Sequence, residues 1–517
     1  MSESDFITTI REGYTFKSES FKIGVAILNG EPLIGSDILL PLKTMNRHGL
    51  IAGATGTGKT KTLQLIAEGL SNSSVPVLLM DIKGDLSGIG AAGKINDQIR
   101  ERMSKIGGDY NPAAFPIELL TLSKEKGVRL RATVSEFGPI LISKILGLND
   151  TQEGVVSMIF KYCDDNALPL LDLKDFIKVL QFVSNEGKKE IEKAYGKIST
   201  SSTGTILRKV IELQQQGADI FFGEPSFEVD DLMRISDDGK GIISVLRVTD
   251  MQNRPKLFST FMLSLLAELY ASLPEEGDMD KPKLVIFIDE AHLVFQQATS
   301  ALLQQIETVI KLIRSKGVGI FFCTQNPQDI PAGVLAQLGL KVQHALRAFT
   351  AADRKAIKQA AENYPETNYY DIGEMLTQMG IGEAFVTALN EKGIPTPLVH
   401  ALLIPPASRM DILTDAEMDS LVSTSRLAMK YAETADTESA YEILNAKLSE
   451  AAAKNEELPA KKVVRKAEKS VVEKALDNSV TRQIGRTAAS VITRSLLGAL
   501  GLGGRSTTRR RKNSNWF

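Results

Sequence analysis

Apolar residues along this chain fall into two patterns that alternate. Short, mostly apolar runs recur at Leu50–Ala52, Val75–Ile82, Gly241–Leu246, Lys283–Ile288 and Gly317–Cys323, and most of them stop at polar or charged residues. Runs of this kind suit parallel strands buried on both faces. Between them lie stretches with apolar positions at helical spacing: Lys61–Glu68, Pro255–Leu273 and Leu302–Ser315. Strands alternating with helices predict an α/β fold, a mostly parallel sheet with helices on both faces. A further strand is expected to end near Leu122. From Val134 to Gly217 the helical period takes over, with Leu141, Ile142, Ile145 and Leu148 on one face and Phe176, Ile177, Val179 and Leu180 on another. That segment reads as a helical insertion. Lys341 to Ile404 reads as a strand-and-helix region that closes the sheet, and Phe21–Leu28 with Ile38–Leu42 as a hairpin.

These patterns divide the chain into residues 1–45, a short β segment; 46–405, the main domain with its insertion at about 134–217; 406–455, a helical extension; and 456–517, a charged tail. Pro405-Pro406 marks the second boundary. Thr414, with Glu417 three residues on, forms a capping-box pattern that opens a helix from Asp415 to about Leu448. Glu456–Lys474 suits a solvated helix or disorder. An apolar stretch, Ala488–Leu502, precedes the basic end Arg509–Lys512, which suits either a solubilising terminus or contact with nucleic acid or an acidic partner.

Composition narrows the class. The chain has 517 residues, 43% of them hydrophobic, enough for a large core, and a net charge of −2. No global basic signature marks it as a nucleic-acid binder, although a pore needs only a local stripe of cations repeated around a ring. Its two cysteines, Cys163 and Cys323, provide no metal or disulfide framework. The start, Ser2-Glu3-Ser4-Asp5, is acidic and polar, and no apolar run is long enough to span a bilayer. A cytoplasmic protein with no membrane partner is expected.

Chemistry enters at Gly53-Ala54-Thr55-Gly56-Thr57-Gly58-Lys59-Thr60, which fits G-x-x-x-x-G-K-[ST] between a strand and a helix that begins at Lys61. Glycines let the backbone form a nest of N–H groups around a phosphate, and the helix N-terminus adds its dipole. Lys59 is placed to bridge β- and γ-phosphates and Thr60 to hold Mg²⁺, so the nucleotide-binding set runs from Gly53 to Lys61, with ATP and Mg²⁺ as the expected cofactors. The strand Lys283–Ile288 ends in Asp289 and Glu290. Asp289 suits Mg²⁺, and Glu290 suits polarisation of an attacking water. Gln325, ending the next apolar run, is placed to reach a γ-phosphate or that water. Arg314 closes a helix, where a cation also simply matches the dipole. Asp81 and Asp85 are candidates for support around the site, or loop carboxylates in solvent. His292 suits a relay or a local helix-start bond.

Together, Asn46-Arg47-His48, Gly53–Thr60, Asp289-Glu290-Ala291-His292, Arg314 and Cys323-Thr324-Gln325-Asn326-Pro327 resemble the HerA/FtsK group of hexameric ATPases, most closely the YjgR-type HerA-like branch. The resemblance runs from about Phe21 to Pro405 and on to the ending Arg494–Leu502. It implies a RecA-like P-loop ATPase core. By position it implies Lys59 and Thr60 on phosphate and metal, Asp289 on Mg²⁺, Glu290 on water and Gln325 as γ-phosphate sensor. It also implies Arg314 as the finger offered to a neighbour's nucleotide, and Arg47 as a second basic position. The full β-barrel of HerA proteins is not expected within residues 1–45.

Two functions fit. In one, a hexameric ring hydrolyses ATP and translocates duplex DNA. In the other, a nucleotide-gated assembly or signalling ATPase acts on a protein partner without moving DNA.

Overall fold

The computed structural model describes residues 3–277, 279–295, 300–348, 350–432 and 438–456. Among them, twelve strands form one sheet: β1 (Ser20–Leu28), β2 (Glu31–Pro41), β3 (Gly49–Ala52), β4 (Val77–Asp81), β5 (Ile117–Thr121), β6 (Val128–Arg129), β7 (Ile243–Arg247), β8 (Leu284–Ile288), β9 (Val318–Thr324), β10 (Leu340–Gln343), β11 (Glu383–Thr387) and β12 (Val399–Leu403). Their order is β2-β1-β12-β11-β10-β3-β9-β8-β4-β7-β5-β6. Every pair from β10 to β6 is parallel, and β11, β12, β1 and β2 add an antiparallel flank. The expected mostly parallel α/β sheet is what forms.

Its central strands are buried along their whole length, as the apolar runs predict, which requires cover on both faces. On one face, Leu63, Ile66 and Leu70 of the helix Lys59–Asn72 enter the core with Leu79, Phe287 and Phe321. The predicted hairpin forms as β1 and β2, and β1 also pairs with β12, so the hairpin is the flank of the main sheet. A helix that the pattern had not singled out, Glu3–Gly13, buries Phe6 and Ile10.

Residues 134–217 fold as helices Val134–Ile145, Asp150–Asp165, Leu173–Ser184, Lys188–Tyr195 and Thr200–Gln215. Reciprocal capping boxes at Thr133/Glu136, Asn149/Gln152 and Asp172/Asp175 start three of them.

The single helix expected from Asp415 to about Leu448 is instead broken into Asp415–Thr424, Arg426–Ala432 and Ala440–Glu456. Ser425 interrupts it. Its backbone is extended, with φ −68° and ψ 130°, and its hydroxyl is committed to the buried Glu118 carboxylate and to the amides of Leu427 and Ala428. The capping box at Thr414 and Glu417 forms as predicted. Lys474, Ala488–Leu502, Arg509–Lys512 and Trp516 lie outside the described residues.

Candidate active site

The phosphate loop is suspended from three strand ends. It leaves β3 at Ala52. The Gly53 amide donates to the Thr324 carbonyl at the end of β9 (3.2 Å), and the Ala54 amide to Ala345 just past β10 (2.8 Å). Gly382, in the turn before β11, donates to the Thr57 carbonyl at 3.0 Å. Two glycines are dictated by this packing. Gly53, at φ 153°, would place a Cβ 2.5 Å from the His344 Cβ; Gly58 needs φ 114° and has the Gly382 amide at 3.2 Å. Within the loop, Lys59 Nζ donates to the Ala54 carbonyl at 3.1 Å, so the ammonium spans the nest it is expected to fill. Thr55 and Gly56 form the exposed rim, and Thr60 is half-buried.

β8 delivers Asp289 and Glu290 to the same sheet edge. Strand β9 lies between β3 and β8, so the loop and the carboxylates flank its end. Gln325 follows β9 directly, exposed. Asp289 is 2% exposed, and its Oδ2 is buried with no hydrogen-bond partner. Burial raises its pKa to about 7; Lys83 opposes the shift, while Glu290 and Asp85 add to it. A buried carboxylate oxygen without a donor is a position that fits a divalent cation with oxygen ligands.

Glu290 is 5% exposed and takes the left-handed conformation, φ 45°, uncommon for a residue with a side chain. The turn is held by Ala291 N donating to the Cys323 carbonyl (2.9 Å) and Leu293 N to the Glu290 carbonyl (2.9 Å). Its carboxylate faces Lys83 on one side and His292 Nδ1, at 3.1 Å, on the other. Both contacts are close, and neither is aligned as a hydrogen bond. His292 is thereby tied to the carboxylate. Burial depresses the Lys59 pKa and Lys83 adds to the effect, while Glu290 and Asp289 counter it.

Arg47 and Arg314 are not in this group. Arg47 precedes β3 and Arg314 precedes β9, so both occupy the opposite edge of the sheet, where with Lys43 and Lys311 they line a cavity of about 330 Å³. The length of β9 puts roughly 20 Å between the two edges. Buried His48 joins the two arginine-bearing segments: its Nε2 donates to the Ile310 carbonyl (2.8 Å) and its Nδ1 accepts from Ile320 N (3.1 Å). Lys61 turns from the phosphate nest to donate to the Met410 carbonyl, and lines a second cavity of about 700 Å³ with Gly58, Arg102, Ile381, Leu402 and Pro405.

Asp81 is consumed by its own loop, accepting from the amides of Gly84 (2.7 Å), Asp85 (3.2 Å) and Leu86 (3.1 Å). Asp85 Oδ1 is buried without a hydrogen-bond partner. Three contributors escaped the sequence reading: His344 beneath the loop, Lys83 against Glu290, and Arg102, whose Nη1 holds the Gly382 carbonyl at 3.2 Å. Gln343-His344 ends an apolar strand as Asp289-Glu290 does, and that shared pattern was the available signal.

A phosphate loop after β3, an Asp-Glu pair after β8 and one strand between them define a RecA-like P-loop ATPase. A model of the helicase HerA-like C-terminal family matches residues 27–507, and the chain belongs to that family. It is similar to the DNA double-strand break repair helicase HerA of Sulfolobus acidocaldarius, 21% identical over 371 residues, covering 70% of this chain and 67% of that protein. The protein of the same description from Sulfurisphaera tokodaii is 23% identical over 359 residues, covering 68% and 65%. The chain thus spans about two thirds of the length of these curated relatives. Among solved structures, the bacterial conjugative coupling protein TrwBdeltaN70 aligns at a TM-score of 0.49 with 14% identity, covering 78% of this chain and 93% of that one. Among the described residues no helix is long and apolar enough to cross a membrane.

Proposed function

We propose that the chain hydrolyses ATP with Mg²⁺ as a hexameric ring that translocates duplex DNA. The observation that carries the ring is the division of the site: Lys59, Asp289, Glu290 and Gln325 share one sheet edge, while Arg47 and Arg314 sit together at the other. An arginine roughly 20 Å from its own phosphate loop does not reach its own nucleotide, which supports a role at the nucleotide of an adjacent copy.

In this reading the Gly53–Thr60 backbone receives the phosphates and Lys59 neutralises β- and γ-oxygens. Thr60 and Asp289 would hold Mg²⁺, which would supply positive charge for the phosphates. Glu290 accepts a proton from the attacking water, Gln325 orients that water, and Arg314 of a neighbour, beside its Arg47, meets charge developing on the γ-phosphate. Lys61 and Gly58 form one wall of the cavity of about 700 Å³ that takes the nucleoside, with Ile381 and Leu402 as apolar surface for the base.

Duplex DNA as the cargo is supported by family membership and by the named function of the HerA relatives. With a net charge of −2, its phosphate contacts belong to a pore or to the Arg509–Lys512 tail. The deciding experiment is the ATPase rate of purified protein with and without duplex DNA, alongside the mass of the oligomer. Stimulation of a hexamer supports translocation. A hexamer whose rate ignores DNA points instead to a nucleotide-gated factor acting on a protein partner.

A further inference from the structure

The cation against the Glu290 carboxylate is Lys83, contributed by the loop after β4. Strands β4 and β8 are parallel neighbours, with Leu79 opposite Phe287 and Met80 opposite Ile288, so the residues following each strand emerge side by side. Asp81 then fixes the loop by accepting three of its amides, which presents Lys83 to the carboxylate edge. Lys83, Lys59, Asp289 and Glu290 share one electrostatic cluster. Burial works against the Lys83 charge, and Asp289 and Glu290 outweigh it, holding the ammonium above its ordinary value. The Lys83 side chain is 34% exposed, where that of Glu290 is 7% exposed, so the lysine is the partner free to swing.

This arrangement conflicts with the chemistry asked of Glu290. A carboxylate closed against an ammonium does not at the same time present that oxygen to a water. A triphosphate seated on Lys59 changes the balance: its γ-phosphate brings negative charge into the cluster, attracting Lys83 and repelling Glu290. The flexible stem of a lysine and its compact charge suit a transfer between two anions.

We propose that Lys83 is a latch on Glu290, paired with that carboxylate when no γ-phosphate is bound and transferred to the γ-phosphate when one arrives, which frees Glu290 for water. The inference rests on the reading of Glu290 as the water-polarising group. It makes release of the base a consequence of triphosphate binding, and leaves a diphosphate-bound chain latched.

A double-mutant cycle read by calorimetry tests it, using a non-hydrolysable ATP analogue and ADP against the wild type, Glu290→Gln, Lys83→Met and the double variant. In the wild type the analogue must displace Glu290 from Lys83. Glu290→Gln therefore tightens analogue binding about tenfold more when Lys83 is present than in the Lys83→Met background, the size of one close, partly buried ion pair. ADP shows no such difference, and Lys83→Arg preserves the coupling. An equal gain in both backgrounds, or the same coupling for ADP, overturns the latch while leaving the nucleotide site intact. A wild-type chain that binds neither nucleotide overturns the site and the latch with it. Where Lys83→Met does not fold, Lys83→Gln takes its place in the cycle.

Discussion

His344 Nε2 lies 2.8 Å from the Thr62 hydroxyl, and its Nδ1 lies 2.8 Å from the Glu383 carbonyl. A carbonyl only accepts, so Nδ1 carries the proton and Nε2 accepts from Thr62: a neutral imidazole holds the start of the phosphate-loop helix to β11. Burial lowers its pKa from 6.5 to about 4, and His48, equally buried, is lowered to about 4 as well. The unfolded chain takes up these protons near pH 6.5, and the folded chain only near pH 4. Stability is therefore full above pH 6.5 and falls as pH drops from there to about 4, by about 3 kcal/mol for each histidine. Melting temperature measured across that window should decline steadily. His344→Asn should melt lower at neutral pH and show a shallower decline.

Binding and hydrolysis should separate at two positions. Lys59→Ala removes the charge opposite the phosphates and should abolish nucleotide binding. Glu290→Gln should retain binding and lose hydrolysis by about 10²–10⁴-fold, the worth of a general base. Equilibrium binding and steady-state ATPase rates check both, and wild-type turnover by Glu290→Gln would sink the assigned mechanism.

Arg314→Ala should bind ATP near normally and hydrolyse it roughly 10³–10⁵-fold more slowly, as loss of an arginine finger does. Mixed with Glu290→Gln chains, it should regain activity at interfaces where an intact Glu290 meets an intact Arg314. A strictly monomeric protein with full activity refutes this.

The cavity proposed for the nucleoside has an optical test. The chain's single tryptophan, Trp516, lies far along the sequence from Ile381, which is 69% exposed on the cavity wall. In a Trp516→Phe background, Ile381→Trp fluorescence should be quenched by ATP, whose base stacks on the indole, and not by inorganic tripolyphosphate. Equal responses to the two place the base elsewhere.

Duplex binding by the assembled protein should be insensitive to sequence and fall steeply with salt. Deleting the residues after Gly504 tells pore from tail: binding that survives and still requires ATP belongs to the pore, while binding that vanishes belongs to Arg509–Lys512.

Much of this was legible because the strands announce themselves. An apolar run ending in a carboxylate or amide has few readings, and β3, β4, β8 and β9 begin within two residues of Leu50, Val75, Lys283 and Gly317, where the runs begin. What stayed hidden depends on which strands are neighbours. Lys83 and Glu290 are 207 residues apart in sequence, by their numbers, and meet only because β4 pairs with β8. His344 reaches Thr62 only because β10 pairs with β3. The helix break at Ser425 was hidden for the same reason, since Glu118, which claims its hydroxyl, lies on β5.

The placement of Arg47 and Arg314 on the edge opposite Lys59 has an arithmetic consequence. In the proposed ring each copy would carry one donor half and one acceptor half, which do not meet within a chain. An open row of copies would leave one unserved nucleotide at one end and one idle arginine pair at the other. Closure removes both ends at once: activity per chain should climb with each copy joined, since an open row leaves a single nucleotide unserved, and reach its full value only when the circle shuts.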